Sequence, residues 1–229
     1  MANRSAEGDD GGMTPRIVSV NVGTPQQAAW DGSRVSAIHK HGVVEPVLVT
    51  TLGLTGDQVA DTRHHGGPDQ AVYAFAREDL DRWGELFGQA VPDGHFGENL
   101  TTLGIDVNEA EVGERWRIGS AVFEVAEVRI PCNDFKGWLG ATGYDNRGWV
   151  KRFTSEGRPG PYLRVVEEGI LQVGDELEVV HRPGHGVTVA LMFRALTTES
   201  RLLPDLLRVD NLAAKARRRA EQYVATLGD

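Results

Sequence analysis

Short runs of β-forming residues, each closed by a glycine, a proline or a polar turn, fill this chain from residue 16 to about residue 180, and helical patterning follows only afterwards. That order limits the fold more than any other feature. Many short strands first and helices last predict a mainly β fold, a β-barrel domain with a small helical appendix. The first strand spans 16–22, where Ile17, Val18, Val20 and Val22 are β-formers. Further strands are predicted at 46–52 and 71–76, with a strand entry at 97–102. The clearest hairpin joins 111–118 to 121–130 through Gly119-Ser120 and leads directly to Pro131-Cys132. The last strands, 162–167 and 176–180, flank the turn Val173-Gly174-Asp175.

Helical spacing is rarer. Leu80, Trp83 and Phe87 share one face of a helix over 77–87, which Gly88 ends. Residues 23–33 and 54–68 are expected to be irregular, and 138–153 to be a loop with one short helix. Beyond a Pro/Gly corner at 182–186, helices are predicted at 189–197, 201–208 and 212–227. The last is amphipathic and basic, with Lys215, Arg217, Arg218 and Arg219. The organisation expected is a disordered leader at 1–14, a β domain at 15–182 and a helical extension at 183–229.

Composition narrows the function. With 33 acidic and 24 basic residues the formal charge is -9, which argues against the basic field that nucleic acid or an anionic membrane requires. No stretch is long and apolar enough to span a bilayer. The lone cysteine, Cys132, forbids an internal disulfide and fits a reducing compartment, so a cytoplasmic location is expected. One cysteine and scattered histidines do not make a zinc spacing or hold an iron–sulfur cluster. G-x-S-x-G, P-loop and G-x-G-x-x-G motifs are missing, which removes several common enzyme classes.

Cys132 follows a strand and precedes a polar stretch. A thiolate is a soft metal ligand and a nucleophile, but a lone cysteine is more commonly a small buried hydrophobe. Arg129, three residues upstream, would favour the thiolate if it points at the sulfur. In the run Arg63-His64-His65-Gly66-Gly67-Pro68-Asp69, cations stand beside a glycine pair whose N–H groups could hold an anion; a solvated turn is the equal alternative. Phe96-Gly97-Glu98-Asn99-Leu100 is a compact polar unit in which Asn99 could read a heteroaromatic edge, or else a strand-edge turn. Lys151, Arg152, Arg158 and Arg164 concentrate cations that could bind phosphate, although such a cluster is usually a charged face.

Together these segments resemble the MOSC family, the molybdenum cofactor sulfurase C-terminal domain, in its YiiM-like branch. The resemblance is carried by Leu52-Gly53-Leu54 with Gly56-Asp57, His65-Gly66-Gly67-Pro68-Asp69, Phe96-Gly97-Glu98-Asn99-Leu100, Val112-Gly113-Glu114, Arg129-Ile130-Pro131-Cys132, Lys151-Arg152-Phe153 and Gly157-Arg158-Pro159-Gly160-Pro161-Tyr162-Leu163-Arg164, in order across about 15–180. It implies a MOSC-type β-barrel binding molybdenum cofactor, with Cys132 at the position that ligates molybdenum and acts in catalysis. It implies reduction of N-hydroxylated compounds such as hydroxylaminopurines; a cofactor or sulfur carrier without turnover is the alternative. Cofactor-binding positions are expected at Arg63, His64, Gly66, Gly67, Asp69, Asn99, Arg129, Lys151, Arg152, Arg158 and Arg164, and His65 or Glu98 is expected to protonate the departing oxygen. With no flavin, haem or cluster motif, a separate electron-transfer protein is expected as partner. Pyridoxal phosphate is disfavoured because, of the four lysines, only Lys151 falls in the cationic region. Gln70, Asn133 and Asp134 depart from the family's usual residues, a difference expected at the substrate rim rather than at the metal site.

Overall fold

The computed structural model describes residues 13–60 and 66–228. Its centre is an eight-stranded mixed sheet built from β1 (Arg16–Val22), β4 (His41–Val43), β7 (Val72–Ala76), β8 (Leu100–Leu103), β9 (Arg115–Ile118), β10 (Ala121–Val128), β11 (Pro161–Glu167) and β13 (Leu177–His181), in the order β13-β9-β10-β11-β7-β8-β1-β4. β5 (Val47–Thr50), β6 (Gly53–Leu54) and β12 (Gly169–Leu171) form a small second sheet, and β2 (Gln26–Ala28) pairs with β3 (Asp31–Ser36). All pairings in the large sheet are antiparallel except β7 with β8. Between those two the chain runs through α1 (Arg77–Phe87), the crossover that a parallel pair requires.

The expected closed barrel is corrected by this topology. β13 and β4 lie at opposite edges of the ladder. The start of β1 does approach β13: Ile17 N–H donates to Asp175 O at 2.9 Å, and Leu177 N–H donates to Pro15 O at 2.8 Å. The remainder of that edge of β1, Val20 to Val22, is already paired with β4, so no ladder to β13 can form. Strand and helix occur in similar measure rather than the chain being mainly β.

The hairpin turns where its Gly-Ser dipeptide demands, with Ala121 opposite Ile118. Its first arm starts at Arg115 rather than residue 111, because Glu114 N–H closes a turn onto Glu111 O. α1 has the expected bounds and buries Leu80 and Trp83. The stretch expected to be loop with one helix contains two, α2 (Asn133–Ala141) and α3 (Trp149–Glu156). Gly137 and Gly140 disguise α2, whose Phe135, Trp138 and Leu139 are buried at helical spacing. A Cβ on Gly137 would collide with the Trp30 indole, so that glycine is there for packing and not for a turn. The stretch 23–33, expected to be irregular, instead holds β2 and the first half of β3, which pair as a hairpin.

Trp83, Trp149, Phe96 and Phe153 make an aromatic centre, with the two tryptophan rings 4.9 Å apart. The C-terminal segments join the same core. α4 (Val189–Thr197) is capped by Thr188, whose hydroxyl accepts from Leu191 N–H at 3.2 Å, and Phe193 meets Phe153 at 5.9 Å. Ser200–Arg208 is a 3-10 segment containing Pro204, and α5 (Ala214–Leu227) buries Ala216 and Ala220. No helix among the described residues is long and apolar enough to cross a membrane.

Candidate functional site

β10 ends at Val128, and the chain then leaves the sheet as Arg129-Ile130-Pro131 before α2 begins with Cys132 at its N-cap. The start of that segment is held by the sheet, since β10 is bonded on both sides, to β9 and to β11. Cys132 is half-buried there and lines two adjoining cavities of about 160 and 430 Å³, which also share Gln70, Arg129, Asp134 and Tyr162.

Arg129 is the fixed cation of the site. Its Nη1 donates to Tyr162 Oη at 2.9 Å, and its guanidinium carbon lies 5.3 Å from the Tyr73 ring centre and 5.7 Å from that of Phe135. Burial pulls its pKa down, but Tyr162, Cys132 and Tyr73 outweigh burial and raise it above its ordinary value. Burial raises the Tyr73 and Tyr162 phenols, so both keep their protons. At the inner end of the smaller cavity Lys40 Nζ sits 2.5 Å from Asp57 Oδ1. Burial lowers the pKa of Lys40, and Asp57 opposes that effect. Asn99 lines this cavity with every polar atom engaged. Its Oδ1 accepts from Tyr73 N–H at 3.0 Å, and its Nδ2 donates to Asn21 O at 3.2 Å and Asp57 Oδ2 at 2.8 Å. It therefore orients Asp57, and through it Lys40, and has no donor left for a ligand.

Of the residues picked from sequence, Cys132, Arg129, Asn99 and Gly66 come together at the cavities. Arg63, His64 and His65 lie outside the described residues. Gly67, at φ 85°, starts the 3-10 turn Pro68–Gln70. Asp69 accepts from Arg164 at 2.6 Å, and Arg164 also reaches Glu124 at 2.6 Å. Arg158 is paired with Asp79 and Asp106. Arg152 donates to Asp145 O at 2.9 Å and lies over the Phe87 and Trp83 rings, and Lys151 is exposed on α3. None of Lys151, Arg152, Arg158 and Arg164 lines either cavity, so the expected cradle is not assembled from them. Each of the three arginines is taken by an acceptor of the fold itself. Lysines do line the cavities, but they are Lys40 and Lys215, not Lys151.

Glu98 also departs from its expected role. It is fully buried, accepts from Gly94 N–H at 2.6 Å, Phe96 N–H at 3.0 Å and Thr101 Oγ1 at 3.1 Å, and does not line the cavities. It staples the loop that carries Gly97, whose φ of 78° favours glycine and whose added Cβ would press on Ile38 at 3.2 Å. Burial pushes the Glu98 carboxyl up to about 7, against the pull of these donors. From pH about 4.5 to 7 the folded chain keeps a proton that the unfolded chain releases, so this group's contribution to stability falls as pH rises, by at most about 3 kcal/mol. His95, buried and held down to about 4, acts in the opposite sense over the overlapping range. The difference between wild type and Glu98→Gln isolates the carboxyl. Urea unfolding at pH 5 and 7.5 should show the wild type losing more stability on going to pH 7.5 than the variant does. Parallel losses would show that Glu98 ionises normally.

Sequence reasoning missed Arg34, Lys40, Tyr73, Tyr162, Lys215 and Arg219 as cavity residues. The last two had one signal: their four-residue spacing puts them on one face of α5.

The site is thus an open mixed sheet followed by a half-buried cysteine in the wall of two cavities, beside a half-buried arginine. A MOSC domain model matches residues 61–178. YflK of Bacillus subtilis is 30% identical over 199 residues, covering 86% of this chain and 88% of that protein. A protein named as a reductase from Gibberella moniliformis is 30% identical over 186 residues, 76% of this chain but only 31% of its own length. The crystal structure of YiiM from Geobacillus stearothermophilus superposes with a TM-score of 0.74 at 26% identity, covering 91% of this chain and 98% of that one. The chain belongs to the MOSC domain family.

Proposed function

We propose that the protein is a molybdenum-cofactor-dependent reductase of N-hydroxylated compounds, with Cys132 as the thiolate ligand of the metal. The observation that carries this reading is the placement of the lone cysteine, half-buried in the common wall of two cavities next to Arg129. The fungal relative's name supports the reaction class, and the family match supports the cofactor.

The donor set fits the group. A soft thiolate suits molybdenum's sulfur-rich end. The smaller cavity offers a slot walled by Tyr73, Ile38 and the glycine backbone at Gly66 and Gly97, polar at its edges as a pterin needs. Among the described residues no group of three or more His, Cys, Asp or Glu side chains competes for a metal. When bound, the cofactor supplies two electrons, which with two protons convert R–NHOH to R–NH2 and water. The chain's own part is orientation and charge. Arg129 holds a permanent positive charge beside the reacting space, locked by Tyr162 and by the two rings it faces. Lys40 holds a proton at Nζ inside the smaller cavity, and is the acid we assign there in place of Glu98. The electrons come from a separate electron-transfer protein, since a single cysteine cannot hold a cluster.

The test is molybdenum and pterin analysis of the protein purified from a molybdenum-replete host. Stoichiometric molybdenum is expected. Its absence, both as purified and after reconstitution, would overturn the reading.

A further inference from the structure

We infer that Lys215 and Arg219 of α5 form a phosphate-monoester site on the outer wall of the larger cavity, so that the substrate is an N-hydroxylated compound carrying a phosphate. The reaction named here rests on the proposed function; the binding site itself rests on charge and shape alone.

At about 430 Å³ the larger cavity has the size of an ordinary small-molecule site. Its walls divide by chemistry. Met192, Leu196 and Ile130 give an apolar side suited to a flat organic body. Arg34, Arg129, Lys215 and Arg219 face Glu127 and Asp134, four cations against two carboxylates, an excess of two positive charges in a chain of net charge -9. Both carboxylates are engaged. Asp134 is paired with Arg34 at 2.7 Å, and Glu127 accepts from Gln70 Nε2 at 2.5 Å.

Lys215 and Arg219 stand four residues apart, so they project from one face of α5, and the buried Ala216 beside them turns that face toward the cavity. Like charges at this spacing destabilise a helix, and among the described residues neither is in an ion pair with a carboxylate. Both are exposed on a helix that could shed them without losing core packing. A local excess of two positive charges matches the charge of about -1.5 to -2 on a phosphate monoester near neutral pH, and a guanidinium fork next to an ammonium is a usual pair of phosphate donors. Cys132 lines the same cavity, so a phosphate held at the α5 wall would leave the body of the ligand pointing toward the sulfur.

Calorimetry on the cofactor-free full chain tests the binding, with adenosine 5′-monophosphate and adenosine as probes. The nucleotide is expected to bind at least about tenfold more tightly than the nucleoside, with an affinity that falls as salt rises. The doubly substituted Lys215→Ala/Arg219→Ala protein is expected to lose that difference while binding the nucleoside as before; Lys215→Gln/Arg219→Gln, which keeps side-chain bulk, should do the same. Equal binding of the two probes by the wild type, or a preference that survives both double variants, would overturn the inference. Molybdenum content of the double variants separates the sources of the phosphate. Unchanged content alongside lost nucleotide preference supports a substrate phosphate. Molybdenum lost in the variants, with no nucleotide preference in the wild type, would assign these cations to the cofactor and overturn the substrate class. A chain that prefers the nucleotide yet never carries molybdenum would keep the anion site and refute the reductase.

Discussion

Replacing Cys132 with alanine should leave a folded protein that carries no molybdenum and reduces a hydroxylamino substrate at least about a hundredfold more slowly. The scale follows from metal sites in general, where losing a group that merely supports a ligand costs about 10- to 100-fold; losing the ligand should cost more. The fold should tolerate the change. Cys132 is only half-buried and makes no side-chain hydrogen bond as the N-cap of α2, so a stability loss of about 1 kcal/mol is expected. Thermal unfolding, metal analysis and single-turnover reduction together make the measurement. Retention of both molybdenum and turnover in a folded variant would remove the sulfur from its proposed role.

Arg158→Ala should do the reverse, costing about 3 kcal/mol of stability or more and no cofactor. Arg158 Nε donates to Asp79 Oδ1, and Nη2 donates to Asp106 Oδ1 at 2.9 Å. Asp79 has only 4% of its side chain exposed, and its other oxygen accepts from Asn108 at 2.8 Å. Removing the arginine strands a buried carboxylate, and breaking such a pair from one side is far more damaging than replacing both partners. Burial already raises the pKa of Asp79 against the pull of Arg158; without Arg158 it rises further. The folded variant then keeps a proton that the unfolded chain releases, so the loss grows as pH rises from about 4 upward. Chemical unfolding at pH 5 and 8 reads both effects, and adding Asp79→Asn to Arg158→Ala should recover much of the stability. If Arg158→Ala instead left stability intact and emptied the site of molybdenum, the cofactor-binding role inferred from its motif would be right after all.

These two residues show how far local reading reaches. Cys132 was legible as a candidate because it is alone, follows a strand and lies in an ordered series of motifs. Arg158 was equally conspicuous in Gly157-Arg158-Pro159-Gly160, yet its motif serves packing: Gly160 N–H donates to Asn108 Oδ1 at 3.0 Å, and Arg158 neutralises the carboxylate beside that same asparagine. The same holds for Glu98 and Asn99, whose polar atoms are used up by Gly94, Phe96, Tyr73 and Asp57. A run of polar residues between apolar flanks looks alike whether it binds a ligand or ties loops together, because hydrogen-bond capacity is a property of residue type and its partner is not.

Periodicity and turn chemistry act over a few residues, so β1, α1, α4 and the Gly119-Ser120 hairpin could be placed from the chain alone. The family could be recognised for the same reason, since its motifs are short. Closure of the sheet and the sign of charge around Cys132 depend on segments that meet only after folding: β4 occupies the edge a barrel would need, and α5 brings Lys215 and Arg219 to a cavity whose cysteine lies more than eighty residues away. Side-chain charges separated that far along the chain acquire partners only when burial brings them together, which no local pattern encodes.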